Sequence, residues 1–218
     1  MNATRRTALI TGASAGLGAE FARQLAAAGF DLVLTARRTE QLETIAQPLR
    51  VRHGREVTCL HSDLAQPEAP QQLFDALAER EIRVDYLVNN AGAAGPDLLE
   101  DRGFDQHRRY FELMMISVAH LCHLFAHGRI INVSSVAGRI PRAGDCNYGP
   151  AKAYLIALSE EMNLTLKPSG VHVCALCPGV THTEFHSVAG VDDFKASSPG
   201  FLWYDADVVV ADGVRAVA

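Results

Sequence analysis

Six short, almost continuously apolar runs recur along the chain, with helix-patterned stretches between them. The runs are TALIT (7–11), DLVLTA (31–36), EVTCLHSD (56–63), VDYLVNNAG (84–92), GRIINVSS (128–135) and GVHVCALCPG (170–179). The stretches between them cover 16–30, 39–52, 67–80, 104–127 and 148–167. A strand apolar at every position is buried on both faces, which is the condition of a parallel sheet covered by helices above and below. Such crossovers are right-handed. The pattern therefore predicts an α/β fold: a doubly wound parallel sheet of Rossmann type, three layers deep, in a single domain over 1–218. No linker, internal repeat or second domain interrupts it.

Local signals agree. In 16–30, Leu17, Phe21 and Leu25 share one face and Gly29 supplies a stop. Pro48 is expected to bend or break the 39–52 helix. The 67–80 helix carries its prolines in the first turn, where a missing N–H costs little.

Composition removes several classes of function. Hydrophobic residues make up 48% and charged residues 21%, with a net charge of −5. Nothing basic invites nucleic acid, and no acidic run forms a disordered tail. The start, MNATRRTALITG, has too short an apolar run for a signal peptide, and no later run could span a membrane. The expected compartment is the cytoplasm. Five scattered cysteines argue against a disulfide framework. Cys174 and Cys177 in CALC have metal-like spacing, but positions three apart on a strand face opposite sides. The nine histidines show no ligand spacing. No metal site is expected.

In doubly wound sheets, ligands bind beyond the carboxyl ends of the strands. Those ends read TGASAGLG, ARR, SDL, NNAG, NVSS and CPGVTHT, the small and polar parts of the chain. TGASAGLG joins strand one to helix one. Glycines at 12, 16 and 18 let the backbone turn tightly, and the helix start offers N–H donors and a positive dipole end to a pyrophosphate. Gly12, Ser14, Ala15, Gly16, Leu17 and Gly18 are the expected contacts. Strand two ends at Ala36 with no acidic residue to receive ribose hydroxyls. Arg37 and Arg38 follow, and a guanidinium suits a 2′-phosphate, so NADP(H) is expected over NAD(H). Asp63, with Leu64 beside it, is placed to accept from an adenine amino group. Asn89, Asn90, Ala91 and Gly92 lie beside the cofactor, although either asparagine could instead tie neighbouring strand ends together.

Tyr148 stands one helical turn before Lys152, and Ser135 precedes Tyr148 by 13 residues. With TGASAGLG, NNAG, NVSS, YGPAK and PGVTHT in this order, the chain resembles the short-chain dehydrogenase/reductase family over nearly its whole length. The resemblance implies hydride transfer between a nicotinamide and a carbonyl or secondary alcohol. It assigns Ser135 to orient the carbonyl, Tyr148 to general acid/base chemistry and Lys152 to the ribose. The Lys152 ammonium and the positive charge of the nicotinamide are together expected to lower the tyrosine pKa toward working pH. The resemblance also puts Pro178, Gly179, Thr181 and Thr183 against the nicotinamide and phosphates, and makes 185–204 a substrate lid. Phe185, His186, Phe194, Trp203 and Tyr204 either line an apolar pocket there or simply pack.

Three features depart from the family pattern. Ser117 stands where an asparagine usually holds a relay water for the lysine; a hydroxyl can substitute with shorter reach. The connection from the 104–127 helix to strand five is short. ADVVVADGVRAVA lies in a helix where the family continues into a further strand, which would leave an exposed edge prone to association. An NADP-binding scaffold without turnover is the alternative reading. A sugar-nucleotide epimerase is disfavoured by the glycine spacing and the lack of room for a substrate domain. Apolar stripes on the two long helices suggest a homodimer or homotetramer. The substrate is expected to be a small-molecule carbonyl or alcohol.

Overall fold

The structure, a computed structural model, describes residues 5–99, 103–182 and 203–218. Thr183 and most of the expected lid, including Phe185, His186 and Phe194, lie outside the described residues.

Strands β1 (Thr7–Thr11), β2 (Asp31–Ala36) and β3 (Val57–His61) alternate with helices α1 (Gly16–Ala27), α2 (Thr39–His53) and α3 (Ala69–Ala78). Then follow β4 (Tyr86–Asn89), α4 (Phe104–Phe111), a π-helical segment (Glu112–Ile116), α5 (Ser117–Leu124) and β5 (Arg129–Val133). After these come α6 (Tyr148–Leu166) and β6 (His172–Leu176). The six strands pair in parallel in the order β3-β2-β1-β4-β5-β6. The chain winds outward from β1 in one direction and from β4 in the other. A crevice therefore opens between the carboxyl ends of β1 and β4.

Alternation along each strand feeds two cores. Ala8, Ile10, Leu32 and Leu34 pack with Phe21, Leu25, Leu42 and Leu49 of α1 and α2. Leu9 and Val33, one position away, pack on the other face with Leu73, Leu77, Leu121 and Leu155 of α3, α5 and α6. This is the period-two geometry of a strand buried on both sides.

A last helix, α7 (Ala206–Ala216), lies against α1, where Gln24 Nε2 donates to Asp207 O at 2.8 Å. The two-residue strands β7 (Val180–Thr181) and β8 (Trp203–Tyr204) pair in parallel and hold together the two ends of the segment expected to be a lid. His182 and Trp203 stack there at 4.9 Å.

Two local expectations need correction. Pro48 neither breaks nor splits α2, which runs continuously through it. Pro48 is exposed while Leu42, Ala46 and Leu49 are buried. The carbonyl freed by the proline can thus turn to water while the apolar face holds the helix on the sheet. The 104–127 stretch is not one regular α-helix either; the π segment interrupts it and helix ends at Leu124. Only residues 125–128 then lead to β5. Gly128 (φ 71°) makes that short turn possible, because a Cβ there would lie 2.1 Å from Asp85 O.

Candidate active site

The glycine turn is built for close approach. Gly12 has φ 63°, and a Cβ on Gly18 would lie 2.3 Å from Gly12 O. Helix α1 starts at Gly16 with no side-chain cap and no acidic residue in its first turn. Its leading N–H groups therefore face the crevice as unclaimed donors, and an anion suits them. Ser14, Ala15, Gly16 and Leu17 are partly exposed around this opening. Arg38 Nη2 donates to Ser14 Oγ at 3.2 Å, so a guanidinium from the end of β2 leans over the turn. Arg37 beside it is exposed. The cradle fits a dinucleotide phosphate, with Arg38 nearest to it.

Thr11, not singled out in the sequence, locks the crevice. Its hydroxyl donates to Val88 O and accepts from the N–H groups of Asn90 and Ala91, both at 3.0 Å. Asn90 Nδ2 donates to Thr11 O (2.9 Å) and Gly12 O (3.1 Å) and so shapes the glycine turn from across the crevice. Of the two readings left open for Asn89, its side chain takes the one that ties neighbouring strands together. It is 2% exposed and its amide donates to Asn132 Oδ1 at 2.8 Å, a strut between β4 and β5. Asp63 accepts from the N–H of Ala65 and lies 3.8 Å from Arg109 Nη2. The Leu64 side chain turns into the core beneath. Gly92 packs against Met114 of the π segment.

At the chemical end, Ser135 leaves β5 and Tyr148 opens α6, and the Ser135 hydroxyl is near enough to Tyr148 to pull its pKa down. Lys152, one turn on, is 5% exposed; its Nζ donates to Val133 O at 2.8 Å and lies 5.6 Å from the Tyr148 ring centre. Ser134 Oγ donates to Lys152 O at 2.7 Å and clamps α6 to β5. Burial pushes the Lys152 ammonium down to about 8, so it still carries its proton at neutral pH. The expectation of a lowered tyrosine pKa is not met in the protein alone. Burial pushes Tyr148 up; Ser135 and Arg142 pull it down, and Asp145 adds to the upward push. Desolvation wins because the phenol is enclosed while the lysine is tied to a backbone carbonyl.

Ser117 is 1% exposed and donates to Leu113 O at 2.9 Å, across the junction of the π segment with α5. Its hydroxyl proton is engaged inside the helix, which leaves the oxygen only as an acceptor for a relay water. Pro178 O accepts from Val136 N at 3.0 Å, and Thr181 Oγ1 donates to Gly179 O at 3.2 Å. The segment expected at the nicotinamide is thereby fixed beside Ser135. Two further groups brace the start of α6. Asp145 Oδ1 accepts from Gly149 N at 2.9 Å. Asn147, 2% exposed, donates to Pro96 O and lies 2.9 Å from His107 Nδ1. An aspartate just ahead of a helix start was the available sequence signal for the first; the second has none.

Six parallel strands in this order, a glycine cradle at the switch point and a Ser–Tyr–Lys cluster beside it define a nucleotide-dependent oxidoreductase. The sequence pattern of short chain dehydrogenases matches residues 6–192. Sulfoacetaldehyde reductase 2 of Chromohalobacter salexigens is 33% identical, over 94% of this chain and 84% of that protein. A short-chain dehydrogenase from Sphingobium yanoikuyae in complex with NADPH superposes with a TM-score of 0.87, at 34% identity over 96% of this chain and 83% of that one. A Burkholderia cenocepacia short chain dehydrogenase in complex with NADP gives 0.86, at 30% identity over 98% and 90%. The chain belongs to the short-chain dehydrogenase/reductase family, and it is an NAD(P)-dependent enzyme acting on CH–OH groups. Among the described residues, no helix is long and apolar enough to cross a membrane.

Proposed function

We propose that this chain is an NADP(H)-preferring reductase of small carbonyl compounds, with Tyr148 as general acid. The observation that carries the reading is the buried Lys152 ammonium, one turn behind Tyr148 and 5.6 Å from its ring, with Ser135 close by. When bound, the dinucleotide supplies or receives the hydride. Ser135 holds the carbonyl oxygen beside Tyr148, so the oxygen that gains negative charge already has two hydroxyl donors. Tyr148 delivers the proton to that oxygen. Its raised pKa keeps it protonated at neutral pH, which is the form that reduction needs. Lys152 holds a positive charge behind the tyrosine and has donors to spare for a ribose.

The preference for NADP(H) is supported by Arg38 leaning on Ser14 above the cradle, and by the lack of an acidic residue at the end of β2. NADPH and NADP in two structural relatives agree with it. Sulfoacetaldehyde reductase 2 is named for a short aldehyde, the size of substrate we propose. Free cysteines at 59, 122, 146, 174 and 177 suit the reducing cytoplasm. Ile116 and Leu164, exposed on the long helical segments, suit assembly of copies of the chain.

The test is loss of NADPH absorbance over a panel of aldehydes and ketones. Tyr148→Phe keeps the ring and removes the proton, and turnover should fall by roughly 10²-fold or more with NADPH binding intact. Turnover within tenfold of wild type would overturn the reading.

A further inference from the structure

Ser135 lies near Tyr148, yet residues 136–147 separate them along the chain. That excursion begins at one reacting hydroxyl and ends at the other, so it must rim the site. It carries two cations. Arg139 turns outward to Glu160 on α6, at 3.0 Å. Arg142 turns the other way: its Nη2 lies 3.5 Å from Asp145 Oδ2. Asp145 in turn accepts from Gly149 N, the residue after Tyr148. The guanidinium is thereby leashed to the first turn of the catalytic helix. Arg142 and Asp145 are thus held at the helix start that carries Tyr148, within Coulombic reach of it.

The two partners differ in what they present. The Asp145 side chain is 7% exposed, whereas that of Arg142 is 67% exposed. The carboxylate is consumed in holding the arginine and capping the helix. The guanidinium has five donors in a planar fork and meets Asp145 by a single contact longer than a hydrogen bond. It therefore offers a free edge beside the acid that protonates the substrate. This edge belongs to a chain of net charge −5, whose overall field repels anions.

We propose that Arg142 is a specificity residue, binding the carboxylate or sulfonate of a short aldehyde or ketone whose carbonyl oxygen rests on Ser135 and Tyr148. The inference rests on the carbonyl-reductase reading. Guanidinium pairs with such groups through two parallel hydrogen bonds, which fixes the far end of the substrate as well as attracting it. Asp145 pre-positions the fork without offering its own charge to the ligand.

The experiment measures kcat and KM with NADPH at low ionic strength. The substrates are glyoxylate, 4-oxobutanoate, 5-oxopentanoate and an aldehyde alkanesulfonate, each beside its methyl ester or methyl sulfone. Wild type should favour at least one anion over its neutral partner. For that anion, Arg142→Gln should raise KM by about 10- to 100-fold with kcat within about threefold, and Arg142→Lys should recover part of the loss. The neutral partner should change by less than about twofold. Equal losses for anion and neutral partner would make Arg142 a prop for the loop and overturn the proposal. Wild-type turnover of neutral carbonyls with no preference for any anion would overturn it too, while leaving the reductase reading intact. Turnover of no carbonyl at all would overturn both.

Discussion

Replacing Lys152 by methionine should make the protein more stable at neutral pH while removing its activity. Lys152 is 5% exposed, and burial lowers its pKa from 10.5 to about 8. At ~1.36 kcal/mol per unit, this shift of roughly 2.5 units means that folding with the lysine charged costs about 3 kcal/mol relative to folding with it neutral. The sign follows from proton binding. Between pH 8 and about 10.5 the unfolded chain holds this proton and the native chain has released it, so wild-type stability rises with pH across that window. Below pH 8 the full cost is present. Methionine has similar bulk and no charge, but it forfeits the bond from Nζ to Val133 O, a loss of about 1 kcal/mol. The variant should therefore be more stable by about 2 kcal/mol at pH 7; its advantage should vanish near about pH 9.5, and by about pH 10.5 the wild type should be the more stable by up to about 1 kcal/mol. Other groups that titrate in that range cancel in the difference between the two proteins. Urea unfolding without dinucleotide, followed by fluorescence of the single tryptophan, Trp203, at unit steps from pH 7 to 10, measures it. A stability gap that stays constant with pH would refute the reasoning, as would a variant less stable at pH 7. A charge kept buried at such a cost is what a catalytic role requires, since packing alone would prefer the methionine.

Two further outcomes are expected. Arg38→Ala should weaken NADPH binding by about tenfold or more and NADH binding little, with a smaller effect for Arg37→Ala, because Arg38 is the one anchored on Ser14; fluorescence titration with both dinucleotides checks this, and equal losses for the two would remove the 2′-phosphate assignment. Gly18→Ala places a Cβ 2.3 Å from Gly12 O, so it should destabilise the fold by about 1–3 kcal/mol and abolish NADPH binding; near-normal affinity in the same titration would mean the turn has room that this geometry denies.

The parts of this molecule that could be read from the sequence are those written locally. The almost continuously apolar runs set all six sheet strands within a few residues, and the glycine turn followed β1 as its composition required. The Tyr148–Lys152 spacing set the two groups on one helix face. What escaped depends on contacts across the fold. Pro48 survives inside α2 because three buried residues hold that helix down, a fact about packing and not about proline. The π segment, with Met114 under Gly92, gives no periodic sign of itself. Strands β7 and β8 are each two residues long and far apart in sequence, too short for any pattern. Asn89 and Asn90 are neighbours of identical chemistry, and only the pleat decides that one braces β5 while the other braces the glycine turn.

Tyr148 shows most clearly where sequence reasoning ends. One helical turn between a phenol and an ammonium fixes that they are close, and from closeness alone a lowered pKa follows. Closeness is only one of three terms. The fold encloses the phenol, ties Nζ to Val133 O, and brings Asp145 to the same helix start, and the first of these outweighs the rest. The balance between desolvation and charge is set by which groups the surrounding elements exclude from water, and no spacing rule carries that information. Its outcome has a direction: in the unliganded fold burial raises the tyrosine pKa, opposite to what closeness to an ammonium alone implies.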